Sequence, residues 1–93
     1  MTQTITMNYR DTLKKAQELE ELADEMDRKC AARIDRLRDG MRSNWTGDAA
    51  AFYCKKLDQL EGKARNRARE MRAAASALRI AAERYRILEM IHL

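Results

Sequence analysis

The chain has 93 residues, a net charge of +4 and no proline, with 37% charged and 45% hydrophobic residues. This length supports one domain with a limited core, residues 1–93, and the mixture of strong helix formers predicts long amphipathic helices and no sheet. No apolar run approaches the ~20 residues of a transmembrane helix. The first residues also lack the basic region followed by an apolar stretch that a signal peptide has.

The first predicted helix covers residues ~8–43. Asp11 follows Asn8 by three residues, which resembles a capping box, so Asn8 or Thr6 is the expected N-cap. From Tyr9 onward apolar side chains recur every three or four residues, the period of one buried helix face. This stripe includes Leu13, Leu19, Met26, Ile34 and Leu37.

A turn is predicted at residues ~44–47, where Ser, Asn, Thr and Gly crowd together. Gly47 can adopt the positive φ of a tight inter-helix turn. Trp45 is expected to cover the open end of the hairpin, where a large aromatic ring buries much surface. Because so short a loop cannot return the chain to the same end, the two helices must run antiparallel.

The second predicted helix covers residues ~47–91 and repeats the three-and-four spacing. Its stripe includes Leu57, Met71 and Leu78, and several alanines between them allow a close approach to the first helix. The fold class is therefore all-α, an antiparallel two-helix hairpin. Since each helix covers only one side of the other, we expect two such hairpins to pair into a four-helix bundle dimer.

Charge suggests a register for the hairpin. Residues 18–27 contain six acids and no base, whereas residues 65–74 contain four arginines and one acid. If the turn centres on Thr46, these runs face each other, with Glu20 beside Arg72 and Asp27 beside Arg65. Exposed pairs of this kind contribute only ~0–1 kcal/mol each, so their expected role is to fix orientation and register.

The two cysteines are predicted to act as small buried apolar residues. In the predicted register Cys30 faces residue 62, about 12 Å along the helix from Cys54. A disulfide needs Cα atoms within ~7 Å, so no intramolecular bridge is expected.

Nothing in the sequence predicts catalysis, a metal site or a cofactor. His92, the single histidine, stands at the chain end, without a nucleophile beside it. Two helices also offer no deep pocket in which a carboxylate could acquire a raised pKa. The basic stretch at residues 63–72 leaves open a module that binds nucleic acid or an anionic polymer, although no aromatic residues interleave with the bases.

The end of the second helix is apolar on most sides, through Ile80, Ile87, Leu88 and Ile91. An exposed apolar end of this kind is typical of a contact surface, which implies a partner. Tyr85 and Glu89 are four residues apart, so they lie on one face of this helix.

The mid-chain Trp45–Thr46–Gly47, together with Tyr85 and Glu89 in a Tyr-x-x-x-Glu pattern, resembles the WXG (Esx-like) family of small type VII secretion proteins. The resemblance implies a helical hairpin that pairs with itself or with a paralogous or effector hairpin. It further implies export of the folded dimer, with Tyr85 and Glu89 as a signal recognised by the secretion ATPase. The expected location is the cytoplasm before export, then the cell surface or medium.

Two alternatives remain beside this secreted, non-enzymatic dimer with a role in virulence or interbacterial competition. The chain is short after Glu89 and its second helix is rich in arginine. These features favour a dedicated heterodimer partner that targets a larger type VII effector, such as an LXG toxin. The second alternative is the basic helical module described above.

Overall fold

The computed structural model describes residues 8–44 and 46–91, and all of them except Asn8, Thr46 and Gly47 are helical. Helix α1, Tyr9–Glu25, continues through a π-helical turn, Met26–Ala31, into α2, Ala32–Asn44. These three segments form the first arm of a hairpin, and α3, Asp48–Ile91, is the second arm. The hairpin measures 69 × 28 × 14 Å. The predicted all-helical hairpin is confirmed; the prediction for Trp45 lies outside the described residues.

The first arm begins at a side-chain cap. Asn8 has extended backbone angles, and its Oδ1 accepts a hydrogen bond of 2.9 Å from the backbone N–H of Asp11. This bond satisfies one of the free N–H groups that every helix start leaves without a partner. Asn8, rather than Thr6, is therefore the N-cap among the two predicted alternatives.

The second arm begins at Gly47, whose φ of +96° lies in the region that side chains rarely tolerate. Its carbonyl accepts the backbone N–H of Ala51 at 3.2 Å, which is the first hydrogen bond of the new helix. The positive φ predicted for Gly47 is confirmed.

The core between the arms consists almost entirely of alanine. The fully buried apolar residues, at 0–1% exposure, are Ala16, Ala23, Ala31, Ala68, Ala75 and Ala82. Small side chains let the arms approach closely, but they remove little apolar area from water. The larger residues of the predicted stripe (Leu13, Leu19, Met26, Ile34, Leu57, Met71 and Leu78) are only partly buried, and Leu37 is 58% exposed.

The π-helical turn Met26–Ala31 corrects a spacing irregularity in the core. Ala23 and Ala31 are both fully buried although they are eight residues apart, one more than two helical turns supply. In the π turn the backbone N–H of Ala32 donates to the carbonyl of Asp27, five residues back rather than four. The extra residue is thereby absorbed, and the buried face continues into α2.

This turn also decides the environment of the cysteines. Because the π turn brings Ala31 into the core, the neighbouring Cys30 is exposed, whereas Cys54 is buried. The prediction that both thiols are buried is therefore wrong for Cys30. It assumed an uninterrupted α-helix in which Cys30 continues the apolar stripe. Both cysteines are free thiols.

The register between the arms also differs from the predicted one. Asp27 lies 3.9 Å from Arg65 as expected, but it binds Arg72 more closely, at 2.8 Å, and Glu20 binds Arg79 instead of Arg72. Side chains of a helix lean toward its N-terminus. In an antiparallel pair the acids of the first arm therefore lean away from the turn, and the arginines of α3 lean toward it. Each acid therefore contacts an arginine that lies farther from the turn, along α3, than the residue directly opposite the backbone of the acid.

Candidate interaction surfaces

One long edge of the hairpin is lined by ion pairs between the arms. Arg72 Nη2 lies 3.0 Å from Asp24 Oδ1, and Arg79 Nε lies 3.1 Å from Glu20 Oε2. Arg65, Arg72 and Arg79 each follow a partly or fully buried residue of α3 by one position, so they share one side of that helix. This charged edge fixes the two arms against each other. The predicted pairing of an acidic run with a basic run is thus confirmed, though not the predicted pair of Glu20 and Arg72.

Near the turn, one arginine gathers the acids of both arms. The Arg38 side chain is 17% exposed, and its Nη1 lies 2.6 Å from Asp58 Oδ1 and 2.8 Å from Glu61 Oε2. It also pairs with Asp35, one turn earlier on its own helix. The hydrogen bond to Asp58, followed by the field of the surrounding carboxylates, raises the pKa of Arg38. Arg38 therefore holds together acids that would otherwise repel one another.

Glu20 should make the stability of the hairpin depend on acidic pH. The hydrogen bond from Arg79 lowers the pKa of Glu20 below its ordinary 4.5, so the folded state favours the charged carboxylate. The stability that this ion pair contributes is fully present above pH 4.5. It is lost as the pH falls through the lowered pKa of Glu20 in the folded state. We expect Glu20→Gln to lower the melting temperature by at most a few degrees at pH 7 and by a smaller amount at about pH 2.5.

Circular dichroism melts at the two pH values test this expectation. Glu21→Gln is the matched control, because Glu21 is exposed and forms no ion pair with the described residues. Equal melting of Glu20→Gln and Glu21→Gln at pH 7 would show that the pair with Arg79 does not stabilise the hairpin.

The opposite edge of α3 carries a column that is apolar except for Arg67. Its members recur every seven residues from Tyr53 to Leu88, and each follows a residue of the buried stripe by three positions. At 100° per residue, three positions place them about 60° from that stripe on the side away from the pairing arginines. Leu60 and Leu88 are both 50% exposed. We call the set the heptad column; it consists of Tyr53, Leu60, Arg67, Ala74, Ala81 and Leu88.

The first arm contributes fewer apolar residues to its surface. Leu22 is 46% exposed and lines a shallow groove with Met26 and Cys30, between the side chains of Glu25 and Lys29. Leu37, in α2, is exposed as well. Both arms thus present large apolar side chains that the hairpin itself leaves in contact with water.

At the free end of the hairpin, Glu89 connects the two arms. Its Oε1 accepts a hydrogen bond of 3.3 Å from the backbone N–H of Tyr9, in the first turn of α1. A carboxylate is favoured there by the partial positive charge of the helix start. Tyr85, one turn before Glu89, is half-buried. The two residues of the predicted export signal therefore lie together where α3 meets the start of α1.

The predicted contact surface at the end of α3 is exposed throughout. Ile80 is 58%, Ile87 46%, Leu88 50% and Ile91 69% exposed. Leu88 belongs to the heptad column, whereas Ile80 and Ile87 lie on another side of the helix. The exposed apolar residues at the end of α3 therefore lie on two sides of the helix.

All four arginines of the basic stretch contact other side chains. Arg65 and Arg72 bind acids of the first arm, Arg67 binds Glu70 at 2.9 Å, and Arg69 hydrogen-bonds to Asn66. Lys63 forms no ion pair with the described residues. Carboxylates partly offset the charge of Arg65, Arg67 and Arg72, whereas Arg69, bound to a neutral amide, and Lys63 keep their full positive charge.

Within residues 8–44 and 46–91, no group of three His, Cys, Asp or Glu side chains is placed to hold a metal ion. No helix in these ranges is long and apolar enough to cross a membrane. Comparison with protein-family models, with curated proteins and with solved structures finds no match.

Two features of these surfaces escaped sequence reasoning. Arg38 was not singled out, although acids three positions before it and one after it were a signal of an ion-pair cluster. The heptad column was not predicted, because its members each follow a stripe residue by three positions and so fit the same three-and-four spacing as the stripe. Only the packing of the arms shows that this part of the stripe faces away from the core.

Proposed function

We propose that the chain is a non-enzymatic interaction protein of the type VII (ESX) secretion kind, exported as a folded helical dimer. The role as an interaction protein is supported by the contrast between a core of alanines and a surface rich in large apolar side chains. A hairpin that buries so little apolar area gains stability by covering its open face with further helices. A second hairpin, forming a four-helix bundle, supplies such helices.

The export half of the proposal is supported by the resemblance to the WXG family and by the position of its two signal residues. Tyr85 and Glu89 lie together at the free end, far from Gly47 and the turn. A secretion ATPase could approach this end without separating the arms along their length. Glu89 also has a structural role, because it binds the start of α1, so Tyr85 is the cleaner residue to test.

We expect Tyr85→Ala to abolish export from a bacterium that carries a type VII system, while the variant stays folded inside the cell. Tyr85 is only half-buried near a helix end, so its loss should leave the alanine core intact. The measurement is immunoblotting of cell and medium fractions, with circular dichroism of the purified variant. Tyr53→Ala, a second partly exposed tyrosine on α3, is the matched control.

Export of Tyr85→Ala at the level of the unaltered chain would remove the signal hypothesis. Loss of export in both tyrosine variants would point instead to a general requirement for the apolar surface of α3.

A second candidate function, the dedicated partner of a larger type VII effector, is favoured by the charges around the heptad column. Lys56, Lys63 and Arg84 lie beside it, and they suit a partner helix that carries carboxylates at the facing positions. Light scattering of the purified protein separates the candidates. A homodimer has twice the monomer mass of 10.8 kDa, whereas a monomer with weak melting indicates a chain that awaits a different partner.

A further inference from the structure

Both arms of the hairpin carry a column of side chains on the edge opposite the ion pairs. Members of the heptad column stand one position before buried residues of α3, as at Ala68 and Ala75. The same position on the first arm precedes Ala23 and Ala31, because the π turn absorbs the extra residue between them. The column of the first arm consists of Lys15, Leu22, Cys30 and Leu37, all exposed. The side chains that pair between the arms follow buried or half-buried residues by one position, so the two columns together form the other face of the hairpin.

The two columns have their middle at the same height, measured along the hairpin from the turn. Asp27 binds Arg72, and Arg38 binds Glu61. Cys30 lies between these contacts on the first arm, and it is therefore level with the middle of the heptad column. It also stands midway between the two leucines of its own column. One point thus bisects the apolar residues of both arms.

A second copy can cover this face in two symmetric ways. If the two-fold axis runs along the hairpin, both turns lie at one end and the first arm of each copy lies on α3 of the other. If the axis crosses the hairpin, the turns lie at opposite ends and each arm lies antiparallel on the same arm of the other copy. The charges beside the columns distinguish these arrangements.

With both turns at one end, like charges meet on facing helices. Residues at matching height on the first arm and on α3 of the second copy then lie within about one helical turn of each other. The facing pairs of like charge are Arg33 with Lys63, Arg33 with Arg67 and Glu25 with Glu70. One pair of opposite charge, Glu18 with Arg84, is gained at matching height. Repulsion at these positions selects against the arrangement.

With the turns at opposite ends, the same charged residues attract one another. Glu25 then lies at the height of Arg33 of the second copy, and this contact occurs twice because of the symmetry. Arg33 is exposed and forms no ion pair with the described residues, whereas Glu25 holds only Lys29, at 3.6 Å. Near the axis, Arg67 comes within about one helical turn of Glu70 of the second copy. Four pairs of opposite charge therefore support this orientation.

The apolar side chains match in this orientation as well. About an axis beside Cys30, Leu22 faces Leu37 of the second copy, and these residues are 46% and 58% exposed in the single hairpin. The facing pairs on α3 are Tyr53 with Leu88 and Leu60 with Ala81. Lys56 and Arg84 form a pair of like charge at the rim of the face, where both are exposed and solvent screens their repulsion.

We propose that two copies of the chain pair through this face with their turns at opposite ends, so that the two-fold axis passes between the two Cys30 side chains. The leucines of both columns supply affinity, and the pairs of Glu25 with Arg33 and of Arg67 with Glu70 fix the orientation. The inference rests on the proposed function, which takes the folded unit to be a dimer, and it specifies the face and direction of pairing. It does not depend on the export signal.

Cys30 makes the orientation measurable. We expect a short bis-maleimide cross-linker to convert the full chain into a covalent dimer on a denaturing gel, because two exposed thiols meet at the axis. Cys30→Ser should abolish this product, whereas Cys54→Ser, which removes the buried thiol, should retain it. With both turns at one end the two Cys30 residues lie on diagonally opposite helices. Chain treated with the reagent in denaturant controls for random collision.

The dissociation constant of the dimer, measured by sedimentation at physiological salt, tests the charged pairs. We expect Arg33→Glu to raise it by about tenfold or more. Arg36→Glu, the same change at an exposed position outside the face, should not raise it. Combining Arg33→Glu with Glu25→Arg should restore pairing, because the exchanged charges again face each other across the axis.

A matched pair of variants tests the apolar contact. Leu37 and Ile80 are both 58% exposed, but Ile80 lies outside the face. Leu37→Ser should therefore weaken the dimer by about tenfold, and Ile80→Ser should leave it unchanged. Circular dichroism confirms that every variant remains helical.

Three results would overturn the inference. A chain that stays at the monomer mass of 10.8 kDa would exclude a second copy as the occupant of the face and favour an effector partner. A dimer that the reagent does not close at Cys30 would retain the proposed function and reject this face and orientation. A dimer weakened by Arg33→Glu but not restored by the double variant would reject the pairing with Glu25. Failure of the Tyr85→Ala export test would leave all these measurements standing.

Discussion

Ala16→Asp should unfold the hairpin. Ala16 is 0% exposed between the arms, and the positions three and four residues away on its helix (Thr12, Leu13, Leu19 and Glu20) offer no base to pair with a new carboxylate. Burying an unpaired charge costs several kcal/mol, a large share of the ~5–15 kcal/mol that stabilises a typical domain. We expect loss of cooperative melting by circular dichroism and a larger hydrodynamic radius in gel filtration.

The neighbouring Gln17→Asp is the control, because Gln17 is exposed and the change introduces the same side chain into the same turn. It should melt within a few degrees of the unaltered chain. If both variants melted alike, the alanines would not form the interface between the arms.

Arg38→Gln should be the most destabilising change among the charged residues of the hairpin. Glutamine leaves Asp58 and Glu61 close together, beside Asp35, with no guanidinium between them. Acids that were attracted to one cation then repel one another at neutral pH. The expected result is a lower melting temperature and faster proteolysis near the turn, where the arms would separate first.

Arg36→Gln provides the comparison, since Arg36 is exposed on the same helix and forms no ion pair with the described residues. The double variant with Asp58→Asn should recover part of the loss, because it removes one of the repelling charges. Additive effects of the two substitutions would indicate that Arg38 and Asp58 stabilise the fold independently.

Much of the architecture could be predicted from spacing alone. The repeat of apolar residues at three and four positions defines two long helices, and the polar segment between them requires an antiparallel return. Asn8 and Gly47 were predictable because each has a local chemical role, as an acceptor for a free N–H and as a residue that tolerates positive φ. These features depend on neighbours in the sequence.

The parts that sequence reasoning missed depend on the other arm. The pairing of Glu20 with Arg79 follows from the direction in which side chains lean on two antiparallel helices. Counting residues from the turn does not take this direction into account. The exposure of Leu37 likewise depends on the other arm, because α2 contributes no buried residue to the contact with α3. For the same reason the heptad column could be identified as a surface only after the buried face of α3 was known.

The π turn has a consequence for how related chains should be aligned. A π turn of this kind arises where one residue is added to an α-helix. The segments on its two sides keep a common buried face only because the turn accommodates the extra residue. A chain with one residue fewer within Met26–Ala31 would form an uninterrupted α-helix with the same buried alanines. The same deletion elsewhere in the arm would rotate everything before it by 100°. Single-residue gaps in homologues should accordingly cluster in this segment, and a gap placed elsewhere in the arm would mark a misalignment.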